Sequence, residues 1–352
     1  MKKWISALGI LALVATLILA ACGTSGNQGN QGASDQGQQG ATNDQKPAEQ
    51  KKTFKVGMVT DVGGVNDNSF NQSAWEGLQQ FAKDTGAEVK YAQSTSDTDY
   101  IPNLNDFVKN GYDLTWGIGY LMADHVKQVA EQNPNAKLAI IDGVVEGPQN
   151  VESVTFSENE GSFLVGVVAG LMTKTNKIGF VGGMEIPVIK RFEAGFKAGV
   201  AAVNPKAEVI INYTGAFDKP DEGKAAAASI YDAGADIIFH ASGKTGDGVF
   251  GEANDRLKNG KQVWVIGVDR DQRDLGPDIT LTSMMKRVDV AVQTISKATM
   301  DGNFKGGVTT LGLKDNAVGL PADNPHVPKE VLDKVAEYQQ KIIKGEITVP
   351  QE

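Results

Sequence analysis

The chain has 352 residues, of which 41% are hydrophobic and 22% are charged, and its formal net charge is -9 at pH 7. This length and composition indicate a globular protein of about two domains. Nucleic-acid-binding proteins need basic patches for the phosphates, and the chain shows no Lys/Arg cluster larger than pairs such as Lys51 and Lys52. We therefore expect no nucleic acid partner.

The first residues have the pattern of an export signal. Lys2 and Lys3 precede an apolar stretch over residues 4–21, and a polar segment follows at once. A stretch of this length could barely cross a membrane as a helix, so an uncleaved membrane anchor is the alternative interpretation.

The end of the apolar stretch argues against that alternative. Leu19, Ala20 and Ala21 before Cys22 resemble the lipobox of bacterial lipoproteins, in which small residues admit the signal peptidase and the cysteine is acylated. Cys22 is the only cysteine, so lipidation would explain an unpaired thiol in an exported chain. The resemblance implies a signal peptide over residues 1–21 and a lipid anchor at Cys22 on the extracytoplasmic face of the cell membrane. Two or three acyl chains would hold the protein there stably.

Residues 22–52 are predicted to form a flexible tether. From residue 23 to residue 50 the chain contains no Val, Leu, Ile or aromatic residue. Such a segment cannot bury enough apolar surface to fold. We expect it to space the globular part away from the lipid surface.

From residue 53 onward, short β-branched stretches alternate with amphipathic or alanine-rich stretches, which is the pattern of βαβ units and parallel sheets. The predicted strands are residues 54–60, 88–92, 113–117, 136–141, 151–156, 177–181, 208–213, 236–240, 262–267, 280–283 and 308–311. The predicted helices are residues 70–83, 101–109, 123–132, 160–173, 188–203, 221–233, 248–259, 288–300 and 329–344. This order predicts an α/β protein with two similar lobes and a hinged cleft between them.

The change of pattern after residue 268 predicts that the chain crosses back between the lobes. We expect the crossovers near Phe156, Ser283 and Asp315. The expected first lobe is residues 53–156 with 284–315, and the expected second lobe is residues 157–283 with 316–352.

In an open parallel sheet, ligands bind outside the carboxyl ends of the strands. After the first strand, Asp61 and Asp67 lie in a Gly-rich turn that leads to Phe70 and Asn71. The alternative role for Asp67 is a plain helix N-cap. Phe70 would either stack on a flat ligand or fill the core.

A second aromatic residue is expected to face the cleft from the other lobe. Phe192 and Phe196 lie one helical turn apart, and Phe196 continues the apolar face of its helix. We therefore predict that Phe192 faces the cleft and Phe196 the core, the alternative being that both are core residues. If Phe70 and Phe192 approach from opposite lobes, a planar base could lie between them when the cleft closes.

Three further strand ends supply candidate ligand-binding residues. Gly243 lies in a turn that lacks the Walker spacing, so it either lets backbone N–H groups approach a ligand or forms only a tight turn. Asp269 could accept hydrogen bonds from a guanine-type edge or from ribose hydroxyls, or it could cap its own loop. Lys286 could bond to ribose or pair with a carboxylate.

Several segments carry a resemblance to a known family. They are Asp61-Val-Gly-Gly with Asp67-Asn-Ser-Phe-Asn-Gln, Glu160-Gly-Ser-Phe-Leu-Val-Gly, Gly182-Gly-Met, Phe192-Glu-Ala-Gly-Phe-Lys-Ala-Gly, Gly246-Asp-Gly-Val-Phe, Gly267-Val-Asp-Arg-Asp-Gln and Ser283-Met-Met-Lys286. Together, in order from about Lys55 to Asp315, they resemble the basic membrane protein family, which includes purine nucleoside receptors.

The resemblance implies a lipid-anchored substrate-binding protein of an ABC transporter with the two-lobed type I periplasmic-binding-protein fold. Its partners would be a nucleoside of the purine class and the permease subunits of the transporter, and we expect a monomer. The base would lie between Phe70 and Phe192, and Asp269 would read its edge. Asp61, Asn71 and Lys286 would serve ribose or base.

Three other classes of function compete with this one. A receptor for a sugar or another small polar solute would use carboxylates and aromatic rings similarly. A receptor domain that reports its ligand to a signalling partner is a separate class. A nucleoside-processing enzyme needs a positioned acid or base, a metal cluster or a phosphate site. The histidines His125, His240 and His326 stand in unrelated contexts, and His240, at a strand end, fits a structural role. We expect no catalytic residue, no metal and no cofactor.

Overall fold

The computed structural model of the protein describes residues 52–352. The predicted signal peptide, the predicted lipidation site Cys22 and the predicted tether up to residue 51 lie outside the described residues. Within residues 52–352, every helix is too short or too polar to cross a bilayer.

Strands and helices alternate along most of the described chain. The strands are β1 (Lys55–Thr60), β2 (Glu88–Ala92), β3 (Leu114–Ile118), β4 (Leu138–Ile141), β5 (Val151–Phe156), β6 (Lys177–Gly182), β7 (Glu208–Tyr213), β8 (Ile237–Ala241), β9 (Trp264–Asp269), β10 (Thr280–Lys286), β11 (Gly307–Leu311) and β12 (Val318–Gly319). The helices are α1 (Phe70–Thr85), α2 (Tyr100–Lys109), α3 (Ala123–Gln132), α4 (Glu158–Met172), α5 (Pro187–Val203), α6 (Pro220–Asp232), α7 (Gly246–Lys258), α8 (Val288–Met300) and α9 (Lys329–Ile343).

The strands form two six-stranded sheets, each the centre of one lobe. The first sheet has the order β11-β5-β4-β3-β1-β2, and all its pairs are parallel. The second has the order β12-β10-β9-β8-β6-β7, in which only β12 pairs antiparallel. The inner strands β3, β4, β5 and β8 are buried along their whole length, as expected for parallel strands covered by helices on both faces.

The chain changes sheet after β5, after β10 and after β11. All of β10 belongs to the second sheet, where Met285 pairs with Asp269 and Lys286 pairs with Val318. The boundary expected between Ser283 and Met284 therefore falls inside a strand. The strand continues because β9 and β12 hold its last residues, although Met284 and Met285 lack β-branched side chains.

The start and end of α1 show why this helix opens at the cleft. Asp67, two residues before the helix cap, accepts hydrogen bonds from the backbone N–H groups of Ser69, Asn71 and Gln72 at 3.0, 2.8 and 3.0 Å. The helix ends at Gly86, whose φ of 75° is the left-handed conformation that glycine adopts readily. Phe70 is thus fixed as the first helical residue, at the edge of the sheet.

Helices α4 and α5 pack closely because glycines lie between them. A Cβ atom added to Gly195 would lie 2.1 Å from the Asn159 carbonyl oxygen. One added to Gly199 would lie 2.0 Å from the Phe163 carbonyl oxygen. The close approach lets Arg191 Nε donate to the buried Glu158 carboxylate at 2.7 Å. Phe192, next to Arg191, is therefore held at the cleft side of the second lobe.

Candidate functional site

A cavity of about 590 Å³, counted with its opening to solvent, lies between the two lobes at the carboxyl ends of the strands. The residues predicted from the sequence to bind the ligand all line this cavity. They are Asp61, Asp67, Phe70, Asn71, Phe192, Gly243, Asp269 and Lys286.

Asp61 and Asn71 form a closed polar pair in the first lobe. Asn71 Nδ2 donates to Asp61 Oδ1 at 2.8 Å, and the Asp61 backbone N–H donates to Asn71 Oδ1 at 3.2 Å. The Gly63 N–H also donates to Asp61 Oδ1 at 2.9 Å. These contacts occupy Oδ1, and both side chains remain in the cavity wall.

The Asp61 carboxyl group is difficult to ionise in this closed form. Burial raises its pKa from 3.8 to about 7, against the hydrogen bonds from Asn71 and Gly63, and the nearby carboxylates of Asp67 and Asp142 add to the effect. A ligand hydroxyl or N–H group at this position would replace water as the partner of the carboxylate.

Asp67 both lines the cavity and caps the start of α1. Besides the three backbone bonds that cap the helix, its Oδ2 accepts a hydrogen bond from Asn71 Nδ2 at 3.0 Å. The capping role weighed in the sequence analysis accounts for these contacts, and Asp67 also fixes Asn71.

Two phenyl rings from opposite lobes enter the cavity wall. Phe70 begins α1 of the first lobe, whereas Phe192 lies on α5 of the second and is only 2% exposed. Phe196, one turn further along, is fully buried and packs against Phe180 and Phe239 with ring centroids 6.2 and 5.0 Å apart. Phe192 lines the cavity and also packs against Phe239, with ring centroids 6.2 Å apart, so it contacts both the cavity and the core.

Lys286 links the rings and the carboxylates. Its Nζ lies 5.0 Å from the Phe70 ring centroid and 5.6 Å from that of Phe192, so the two rings are no farther apart than the sum of these distances. The same atom is 2.5 Å from Asp142 Oδ2 and 3.4 Å from Glu158 Oε1. Burial opposes the charge, but the carboxylates outweigh burial and raise the pKa of Lys286, so it stays an ammonium.

Asp269 ends β9 and has the left-handed φ of 66°, which is unusual for a residue with a side chain. Its carboxylate accepts a hydrogen bond from the Ser69 hydroxyl of the other lobe. Burial raises the pKa of Asp269 from 3.8 to about 7, while Lys286 and Ser69 act in the opposite direction. The group is thus a buried acceptor at the cavity wall.

Gly243 follows β8 in a short turn that leads into α7. Its φ is 55°, and an added Cβ would lie 3.3 Å from the Phe217 carbonyl oxygen. The conformation is that of a tight turn, and the residue also lines the cavity. The residue thus lines the cavity from a tight turn, and approach of its backbone N–H group to a ligand stays a prediction.

His240 is buried and bonded at both ring nitrogens. Nε2 lies 2.9 Å from Gln272 Oε1, and Nδ1 lies 3.3 Å from Ser242 Oγ. Burial lowers the pKa of His240 from 6.5 to about 4, so the ring is neutral at physiological pH. The structural role expected from the sequence matches these contacts. Among residues 52–352, no His, Cys, Asp and Glu side chains form a group of three that could hold a metal ion.

Several residues that line the cavity were not predicted from the sequence. They include Tyr120, Leu121, Asp142, Ile186, Phe217 and Ser242. Asp142 follows four apolar residues of β4, just as Asp61 follows β1, and its φ of 68° matches the 66° of Asp269. This repeated order, a buried strand followed by aspartate, was the available signal. Ile186 and Phe217 carried no such signal because apolar residues in loops have many roles.

Comparison with known proteins places these features in a family. Residues 54–352 match the family model described as Bmp, "ABC transporter substrate-binding protein PnrA-like". The chain is 47% identical to the "CD4+ T-cell-stimulating antigen" of Listeria innocua, over 100% of this chain and 99% of that protein. It is 40% identical to the "ABC transporter nucleoside-binding protein BmpA" of Lactococcus lactis, over 99% of each.

A solved structure has the same architecture. The solute-binding protein of an ABC transporter system from Aeropyrum pernix K1 is similar with a TM-score of 0.78 and 31% identity, over 85% of this chain and 94% of that one. The type I periplasmic-binding-protein fold predicted from the sequence is thereby confirmed. The chain belongs to the basic membrane protein family of PnrA-like ABC transporter substrate-binding proteins.

Proposed function

We propose that this substrate-binding protein captures a purine nucleoside in the cavity and passes it, chemically unchanged, to the permease subunits of an ABC transporter. The observation that carries the proposal is that two rings from opposite lobes, Phe70 and Phe192, line the same cavity. A flat base stacks favourably on aromatic faces, and two faces can hold it only when the lobes are closed. The name of the Lactococcus lactis relative, a nucleoside-binding protein, supports a nucleoside as the ligand.

The charges of the cavity support a ligand that donates hydrogen bonds and carries no phosphate. Of the described residues that line it, Asp61, Asp67, Asp142 and Asp269 bear carboxylates, whereas Lys286 bears an ammonium that is already paired. Carboxylates attract N–H and O–H donors and repel phosphate. A nucleoside offers ribose hydroxyls and base N–H groups in a neutral molecule.

Each polar residue has a proposed role in binding. Asp269, beside the rings, would accept from the N–H groups of a purine edge, since a guanine-type edge presents adjacent donors. Asp61, Asn71 and Lys286 would hold the ribose. Ligand contacts from both lobes exist only in the closed form, so ligand binding would favour closure.

We propose further that the mature protein begins at a lipid-modified Cys22 and works on the extracytoplasmic face of the cell membrane. The support is in the sequence, namely the small residues before the cysteine and the polar segment after it. A monomer on a tether would reach the permease from that anchor.

Native mass spectrometry of the purified protein, without added ligand, tests the ligand class. The expected result is a second species heavier by the mass of a purine nucleoside, which disappears on denaturation and returns when guanosine or inosine is added. The mass of a hexose instead would support the sugar-receptor alternative. No shift with any added nucleoside, in a protein that is folded by circular dichroism, would contradict the proposal.

A further inference from the structure

A group of contacts joins the two lobes directly, beside the cavity. Gln272, in the loop after β9, donates from Nε2 to the backbone carbonyl oxygen of Asn68 at 2.8 Å. Asn68 Nδ2 in turn donates to both carboxylate oxygens of Asp247 at 3.2 Å. Asn68 precedes α1 of the first lobe, whereas Gln272 and Asp247 belong to the second. None of these three residues lines the cavity.

The orientation of the Gln272 carboxamide follows from its neighbours. The Val268 backbone N–H donates to Oε1 at 2.8 Å, and a backbone N–H can only donate. Oε1 must therefore be the atom that faces Val268. The NH₂ group is left facing the Asn68 carbonyl oxygen, where it has an acceptor. The side chain is 1% exposed, so water does not compete for it.

His240 provides the second donor to the same oxygen. Because Gln272 Oε1 accepts, the His240 Nε2 atom 2.9 Å away must carry a hydrogen. In a neutral ring Nδ1 then has the lone pair, and it accepts from the Ser242 hydroxyl at 3.3 Å. The tautomer with its hydrogen on Nε2 thus forms hydrogen bonds with both Gln272 and Ser242. The lowered pKa of about 4, caused by burial, keeps the ring in this neutral form.

Asn68 is itself held in the conformation that the contact needs. Its φ of 53° is left-handed, a region that asparagine enters more readily than most residues. The next residue, Ser69, bonds to Asp269, and Arg270 lies 3.6 Å from Glu76 Oε1, so the start of α1 faces the second lobe over several contacts. Opening of the cleft would separate this face from the second lobe.

We propose that Gln272 and Asn68 form an interlobe latch that favours the closed state whether or not ligand is bound, and that His240 is the positioning residue that aims Gln272 across the cleft. The latch would slow ligand release without touching the ligand. The inference does not depend on the ligand being a nucleoside, because it concerns lobe closure. A purely structural His240, by contrast, would influence only the stability of the second lobe.

The central variant is Gln272→Glu. Glutamate keeps the shape and the oxygen that accepts from Val268 and His240, but a second oxygen then faces the Asn68 carbonyl in place of the NH₂ donor. Gln293→Glu makes the same chemical change on α8, where Gln293 donates to the Asp289 carbonyl oxygen within the first lobe. It is the matched control. His240→Phe keeps a flat ring beside Phe250 and removes the donor.

Double electron–electron resonance measures closure without ligand, as the distance between spin labels at positions 83 and 258. Lys83 and Lys258 are exposed near the far ends of α1 and α7, and Cys22→Ser in the full chain leaves only the introduced cysteines. We expect longer distances in Gln272→Glu and His240→Phe, and the unchanged distribution in Gln293→Glu. Unchanged distances in a folded Gln272→Glu would overturn the latch.

Stopped-flow fluorescence measures the rates at which guanosine binds and dissociates. We expect dissociation about tenfold faster in Gln272→Glu, with the association rate within about twofold of the original. If His240 acts through Gln272, guanosine should dissociate from the double variant His240→Phe/Gln272→Glu no faster than from Gln272→Glu alone. Fully additive effects would remove the positioning role. If guanosine does not bind, the proposed function fails, while the distance measurement still decides the latch.

Gln272→Met covers the case in which the glutamate variant does not fold. Methionine has a similar length and no charge, but it offers no donor to Asn68. The same lengthened distances are expected from it. A folded Gln272→Met that keeps the original distances would contradict the proposal.

Discussion

Lys286 reaches from the end of β10 in the second sheet to Asp142 at the end of β4 in the first, with 2.5 Å between Nζ and Oδ2. The Lys286 side chain is 1% exposed and that of Asp142 is 8% exposed. The pair is thus an ion pair between lobes, removed from water, and it also lies against both phenyl rings of the cavity. Lobe closure, charge balance and ring position depend on the same ammonium.

Replacing Lys286 with methionine should destabilise the protein by about 3–5 kcal/mol, because Asp142 would be left buried without its cation and Glu158 would keep only Arg191. The free energy of unfolding in urea measures this. Lys297→Met is the matched control, since Lys297 pairs with Asp301 on the protein surface. Its loss should lower the free energy of unfolding by less than about 1 kcal/mol. Adding Asp142→Asn to Lys286→Met should recover part of the loss. Equal stability of the two lysine variants would show that the buried pair is not needed.

Asp269→Asn should weaken guanosine and inosine binding by about tenfold or more, since a bond to a charged acceptor contributes about 1.5–3 kcal/mol. Asparagine keeps the size of the side chain and an oxygen for Ser69. Calorimetric titration measures the affinity, and thermal unfolding measures the fold. Asp271→Asn, two residues further on and paired with Arg273, should leave affinity unchanged. If Asp269→Asn lowers stability and leaves affinity intact, Asp269 only caps its loop.

The stability of the ligand-free protein should depend on the protonation of Asp61 and Asp269. Burial raises the pKa of both from 3.8 to about 7, so the folded state binds their protons more tightly than the unfolded state does. Their contribution to the free energy of unfolding is therefore full below pH 4, declines as pH rises towards 7, and is lost above 7. Each group contributes a slope of at most about 1.4 kcal/mol per pH unit.

Urea unfolding at several pH values between 4 and 8 measures that slope. Asp61→Asn cannot titrate, so its curve should be flatter than that of the original protein. Asp84→Asn makes the same chemical change at an exposed position near the end of α1 and is the matched control. Parallel curves for Asp61→Asn and the original protein would show that Asp61 does not titrate in this range.

Cys22→Ser should abolish acylation of the protein. Serine has no thiol to acylate, and the predicted cleavage site would be lost or altered with it. Metabolic labelling with a palmitate analogue, followed by fractionation, measures both the modification and the location. Labelling that persists in Cys22→Ser would contradict a lipid anchor at this residue.

Most of the fold could be predicted from the sequence because its strands are apolar stretches between turn residues. The ends of the predicted helices and of most strands lie within two residues of those observed. The exceptions depend on tertiary pairing. Strand β10 continues to Lys286 because β9 and β12 hold it, and β12 has two residues that form a strand only by pairing with β10.

The site was predictable where strand ends carry polar residues, and less so elsewhere. Asp61 and Asp269 follow this rule, and Asp142 follows it too but was overlooked. The interlobe contacts could not be predicted, because Asn68 lies 179 residues from Asp247 and 204 from Gln272. Their approach depends on how far the cleft closes, and no local pattern in the sequence records that angle.

The most direct test of nucleoside capture is calorimetric titration of guanosine into the original protein, Phe70→Ala and Phe192→Leu. Each variant should lose about 1–3 kcal/mol of binding free energy, the contribution of one stacked base. Phe196→Leu, in the core one turn beyond, should lower the melting temperature and leave affinity unchanged. Guanosine affinity that is the same in all four proteins would contradict a base held between the two rings.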